Sequence, residues 1–264
     1  MKIVGADQRL AEQRGAKILL VGPTGVGKTS LLRTLDPSRT LFVDIEAGDL
    51  SVLDVPVGTI HINDWPAARD LACRIGGPDP SYPATACYSR AHYEAVGGAL
   101  ENLDKYDTIF VDSITAISRL SLRWAEQQPE SYSERTGKKD MRSAYGLHGR
   151  ELVGWLSHLQ RARGKSVVFI AILEKTVDDF GTAQWQPQLE GSKTAREAPA
   201  IVDQIITMHF IDFGDGVPVR AFVCTLPNPW GYPAKDRSGR LEQLEQPDLR
   251  KLVEKLMTRR SEDV

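Results

Sequence analysis

Gly22-Pro23-Thr24-Gly25-Val26-Gly27-Lys28-Thr29-Ser30 matches the pattern G-x-x-x-x-G-K-[ST]. Its flanks have the character that the motif needs. Lys17-Ile18-Leu19-Leu20-Val21 reads as a short buried strand, and Ser30 to Leu35 reads as a helix closed by Asp36-Pro37. In that setting backbone N–H groups wrap a phosphate chain, and the glycines permit both the turns and the close approach. The helix N-terminus adds partial positive charge. Gly22 through Ser30 are therefore the candidate contacts for a nucleoside triphosphate such as ATP. Lys28 is placed to reach the outer phosphates, and the Thr29 hydroxyl to ligate the Mg²⁺ that accompanies them.

Working outward, strand and helix patterns alternate. Thr40 to Glu46 reads as a second strand with acids at its end, and Val57 to Ile62 as a third. Asn63-Asp64-Trp65-Pro66 opens a helix that stops at Gly76-Gly77, and Ser89 to Leu103 reads as another, weakened by Gly97-Gly98. Asp107 to Asp112 is a strand, Ser113 to Gln127 a helix, Gln128 to Arg142 a polar mobile loop, and Tyr145 to Arg163 a long amphipathic helix. Ser166 to Leu173 is apolar throughout, the mark of a central strand in a parallel sheet. Gln204 to Ile211 and Val219 to Leu226 read as an antiparallel hairpin at one sheet edge. Pro247-Asp248 opens a short helix to about residue 258, and Arg259 to Val264 is expected to fray. The expected fold is α/β, a mainly parallel sheet flanked by helices, in one domain spanning the 264 residues.

Composition narrows the function classes. A net charge of −2 gives no global attraction to nucleic acid, so any such contact must use a local basic patch. Cys73, Cys87 and Cys224 form no C-x-x-C pair and suit a reducing cytoplasm better than a disulfide scaffold. Met1 to Gly15 carries charges and no apolar run, so no secretory signal is expected. The longest apolar run, Val167 to Leu173, is too short to cross a bilayer.

Three carboxylates carry candidate chemistry. Asp112 ends an apolar strand downstream of the phosphate loop, where a carboxylate meets the Mg²⁺ shell. The next residue is Ser113 rather than Glu, so a water-activating base must come from elsewhere. Glu46 is the candidate, because the end of its strand faces the same crevice as the phosphates; Asp44 or Asp49 can substitute. Glu174 ends the Val167 to Leu173 strand and is placed either to sense the γ-phosphate or merely to cap a strand.

The stretches "LLVGPTGVGKTS", "TLFVDIEAGDL", "YDTIFVDSITAI" and "SVVFIAILEK" resemble, in order and spacing, the core of RecA-type ATPases. The resemblance spans roughly residues 17–240. It implies that Glu46 is the catalytic base, Asp112 the Walker B acid, and Glu174 a nucleotide sensor where the family usually has Gln. The chain is expected, by comparison with RecA, to be a core without RecA's preceding helical extension or its C-terminal domain. It is closer to core-only RecA-like proteins of phages and prophages, some of which act in single-strand annealing and recombination. "NPWGYPAKDRSGRL" is similar to their AKxR signature, to the KNR element of RadA and to the KxR of DnaB-type helicases. The likeness implies that Lys235 and Arg237 are finger residues reaching a neighbouring subunit's nucleotide.

Two segments are candidate single-stranded DNA contacts. Arg135, Lys138, Lys139 and Arg142 form a basic cluster between Tyr132 and Tyr145, and Lys175 to Arg196 carries Phe180, Trp185, Lys193 and Arg196. Cations interleaved with aromatics suit backbone tracking with base stacking. The combined expectation is a cytoplasmic, Mg²⁺-dependent, homo-oligomeric ATPase, ring or filament. It would act on single-stranded DNA in phage-type recombination, annealing or replication, with a single-strand-binding protein as a partner. The alternatives are an ATP-dependent regulatory switch that holds no DNA and a small-molecule kinase. The kinase is disfavoured because the sequence shows no acceptor pocket and no Arg-rich lid.

Overall fold

The computed structural model describes residues 14–258 apart from 163, 178–180 and 215, together with 3, 5, 7, 8 and 12. Its centre is a parallel sheet. Strands β1 (Lys17–Gly22), β2 (Thr40–Asp44), β3 (Gly58–His61), β4 (Thr108–Asp112), β5 (Ser166–Val177) and β7 (Gln204–Ile211) run in the order β7-β1-β5-β4-β2-β3. β6 (Ala183–Pro187) folds back on the far end of β5. β8 (Val219–Val223) pairs antiparallel with β7, and β10 (Leu244–Glu245) with β8. β9 (Lys235–Asp236) pairs antiparallel with the start of β7. The fold class is thus the expected α/β arrangement with an antiparallel C-terminal edge.

Alternation along the strands divides the core into two layers. Leu19, Val21, Val43, Val111 and Phe169 face helices Trp65–Gly76, Ile114–Ala125, Met141–Gln160 and Ser192–Ile201. Ile18, Leu20, Phe42, Phe110, Met208 and Phe222 face the other way, toward Leu31 and Leu32 after the phosphate loop and Leu249, Leu252 and Leu256 of helix Leu249–Met257. Because both faces are covered, the central strands are continuous apolar runs. Among the described residues no helix is long and apolar enough to cross a membrane.

Several elements differ from the sequence-based expectation. The segment after the phosphate loop is a six-residue 3₁₀ helix, Thr29–Thr34, since the chain must turn at Asp36-Pro37 within two turns. The helix expected over 89–103 is only Arg90–Ala95, because Gly97 and Gly98 adopt φ of 85° and 74° and end it. Residues 128–142 are not an open loop. Pro129–Ser131 forms a 3₁₀ turn, Tyr132 bridges Lys139, and Ser133 N–H donates to Lys138 O at 2.8 Å. The 175–196 segment is likewise a β5–β6 hairpin followed by the start of helix Ser192–Ile201. Phe180 and the end that was expected to fray, residues 259–264, lie outside the described residues.

Candidate nucleotide site

Strand register assembles the site. Gly22 lies beside Ile172, Asp112 beside Ile170, and Asp44 beside Asp112, so β1, β2 and β4 end along one edge, which β5 passes. There the phosphate loop, Glu46, Asp112, Ser113, Ile170 and Ile172 line a cleft of about 310 Å³. Gly25 and Gly27 hold φ of 80° and 96°, conformations that L side chains avoid.

Thr29 Oγ1 donates to Asp112 Oδ2 at 2.5 Å. Hydroxyl and carboxylate are hard oxygen donors that fit Mg²⁺, and the hydroxyl keeps lone pairs for an ion while its proton points at Asp112. Burial pushes the Asp112 carboxyl up to about 6, against the pull of the Thr29 hydrogen bond. Lys28 Nζ folds onto its own loop, donating to Gly22 O at 2.9 Å and Pro23 O at 3.0 Å. Burial lowers its pKa, while Asp112 and Glu46 nearby oppose the change.

Glu46 lies just past the end of β2, exposed at the cleft, where Ser113 Oγ donates to Glu46 Oε1. Of its two suggested substitutes, Asp44 is sealed in the sheet, 2% exposed, with His61 Nδ1 at 3.1 Å. Asp49 opens the 3₁₀ segment Asp49–Val52, and neither lines the cleft. Glu174 does not line it either. β5 runs past the cleft for five residue pairs of a hairpin with β6, and there Gln186 Nε2 donates to the Glu174 carboxylate at 3.0 Å.

Lys235 and Arg237 sit far from this edge. β9 pairs with Gln204 and Ile205, at the opposite end of β7, and both cations reach the C-terminal end of helix Ser192–Ile201. Lys235 Nζ donates to Pro199 O at 2.6 Å; Arg237 donates to Ala200 O at 2.9 Å and to Asp203 Oδ1 at 3.0 Å. Burial lowers the Lys235 pKa. The two point the same way, onto the last turn of their own chain's helix Ser192–Ile201.

The basic residues divide between two elements. Arg135 and Lys138 are exposed on the Tyr132–Lys139 hairpin, and Lys139 pairs with Glu126 at 2.7 Å. Arg142 is exposed on the first turn of helix Met141–Gln160. Lys193 pairs with Glu197 at 3.7 Å, and Arg196 Nε donates to Ser192 O. Helix packing brings Tyr145, Arg150, Lys193 and Glu197 to one groove of about 800 Å³. Arg150 was missed because its helical position carries no motif.

No curated protein matches the sequence. Among solved structures, the flagellar accessory protein FlaH from Methanocaldococcus jannaschii matches at 13% identity, over 90% of this chain and 88% of that one, with a TM-score of 0.38. The RadB recombinase matches at 14% identity, over 80% and 81%, with a TM-score of 0.41. A family model described as an AAA domain matches residues 14–238, which include every residue of the cleft. The chain belongs to the AAA domain family AAA_24, a family of nucleotide-binding ATPases.

Proposed function

We propose that the protein is a Mg²⁺-dependent, RecA-like ATPase that hydrolyses ATP in the cleft between β1, β2, β4 and β5. The observation that carries this is the convergence of Lys28, Thr29, Asp112 and Glu46 on one cleft from three separate strand ends. Thr29 and Asp112 would hold the ion, which supplies charge neutralisation to the phosphates. Among the described residues Glu46 is the one exposed carboxylate lining that cleft, so it is the group assigned to orient and deprotonate water.

The proposed substrate of the motor is single-stranded DNA, in recombination, annealing or replication of the phage type. Its support is the groove beside helix Ser192–Ile201, where exposed Tyr145 stands with Arg150 and Lys193. A homo-oligomer would place Lys235 and Arg237 against a neighbour's nucleotide. The second reading, an ATP-controlled switch without DNA, draws on their engagement with their own helix end. ATPase rate measured with and without an oligonucleotide, over a range of protein concentration, separates the two. Stimulation by DNA and a steeper than linear concentration dependence support the motor; neither effect, with turnover retained, supports the switch.

A further inference from the structure

The antiparallel edge brings a cation to the phosphate loop that no motif announces. Arg220 lies on β8 directly opposite Phe210 of β7. Strand alternation puts Phe210 on the same face as Met208, which packs in the layer beneath the loop. Phe210 is half exposed and forms the outer end of that face. Arg220 reaches from it to the loop itself: a methyl built on Gly27 would stand 2.6 Å from Arg220 Nη1 and 4.0 Å from Met208 Cε. Gly27 is bare because of its φ of 96°, and the flexible guanidinium stands in the space beside it.

That guanidinium has no hydrogen-bond partner among the described residues. Among the described residues, no carboxylate or carbonyl accepts a hydrogen bond from Arg220, in contrast to Arg33, Arg39, Arg161 and Arg237, each paired with an aspartate. Arg220 is exposed and does not itself line the cleft, but its fork of five N–H donors stands beside Gly27, which does, and adds positive charge at that rim. Such an arrangement lacks a polyanion to complete it.

We propose that Arg220 is part of the nucleotide site, a cation from the chain's own C-terminal hairpin that binds a phosphate oxygen of the bound nucleotide. This rests on the ATP-site reading above. It differs from the finger assignment of Lys235 and Arg237, since Arg220 acts within one subunit. It also couples the β7–β8 hairpin to nucleotide occupancy, because the hairpin carries the phosphate ligand on its inner face.

The test is calorimetric titration of the full chain with ADP, inorganic tripolyphosphate and adenosine, on the parent, Arg220→Gln and Arg220→Lys. A charge-assisted hydrogen bond to phosphate implies that Arg220→Gln weakens ADP and tripolyphosphate alike by about 10- to 100-fold. Arg220→Lys should recover part of the loss, and adenosine binding should not change. Unaltered melting would show that the fold is intact. Equal ADP affinity in parent and Arg220→Gln overturns the proposal, as does a loss seen with adenosine but not with tripolyphosphate. If the parent binds no nucleotide while remaining folded, the ATP-site reading itself fails, and this inference with it.

Discussion

The Ser113 hydroxyl donates to the Glu46 carboxylate across a separation of 67 residues. Ser113 also N-caps helix Ile114–Ala125, accepting from Ala116 N–H at 3.2 Å, and that leaves its proton free for Glu46. One side chain therefore starts a helix and holds the proposed base at the cleft.

Glu46→Gln should retain Mg·ATP binding and lose about 10²- to 10⁴-fold in turnover, because only proton abstraction is removed. Ser113→Ala should lower turnover less, with ATP affinity kept and a cost of about 1 kcal/mol from the lost cap. Single-turnover hydrolysis beside equilibrium binding checks both. Full turnover in Glu46→Gln would remove the glutamate from the mechanism.

Lys28→Ala should abolish nucleotide binding while leaving the melting temperature nearly unchanged. The ammonium now rests on Gly22 O and Pro23 O, contacts that a phosphate can replace. Fluorescent-nucleotide titration reads the loss; affinity equal to the parent's would sink the phosphate-loop assignment.

Arg237→Ala distinguishes a helix cap from a finger. Its ion pair with Asp203 has both side chains substantially exposed, and such pairs contribute about 0–1 kcal/mol. A finger acting on a neighbour's γ-phosphate contributes roughly 10³- to 10⁵-fold to turnover. We expect near-parental melting with collapsed ATPase, partly restored when Arg237→Ala subunits are mixed with Glu46→Gln subunits. Undiminished turnover in a protein that stays monomeric would leave only the cap.

Replacing Lys138 and Lys139 together with Ala should weaken oligonucleotide binding and reduce its salt slope by about one to two units. Lys139 is paired with Glu126, so most of the change should follow Lys138. An unchanged slope would confine any DNA contact to the groove that holds Arg150 and Lys193.

His158 predicts an acid-sensitive fold. Its ring is 5% exposed and stacks on Tyr88 at 4.2 Å, with Asp79, Arg161 and His92 as the charged or titratable groups around it. Burial lowers its pKa from 6.5 to about 4. The folded state therefore binds its proton less readily than the unfolded chain, and stability falls as pH drops from about 6.5 toward 4. Between pH 7 and pH 5 this residue should cost about 2 kcal/mol, a loss that His158→Gln should largely remove. Urea midpoints at the two pH values check it.

Gly76 is tied to the same ring, since a methyl there would stand 2.6 Å from His158 Nε2. Gly76→Ala should destabilise by about 1–3 kcal/mol at any pH, through overpacking. A melting temperature equal to the parent's would show that the ring can shift.

The sequence by itself determined the phosphate loop, the strands of the parallel core and the Asp112 position. Each is written locally, in glycine spacing or in an apolar run that only a doubly covered strand can bury. Glu46 was legible for the same reason, as an acid just past a strand whose edge had to meet the loop. Tertiary structure decided the rest. Glu174 looked like a crevice residue until β5 proved to continue into a hairpin, where Gln186 takes its carboxylate. Lys235 and Arg237 meet their partners at the end of helix Ser192–Ile201, a pairing that no local pattern encodes. Arg220 reached Gly27 only because β8 pairs with β7, and β7 lies beside β1. Strand order and register are set by long-range pairing, whose energy is shared among many residues. No short stretch of chain carries a signal for which distant side chain will stand opposite.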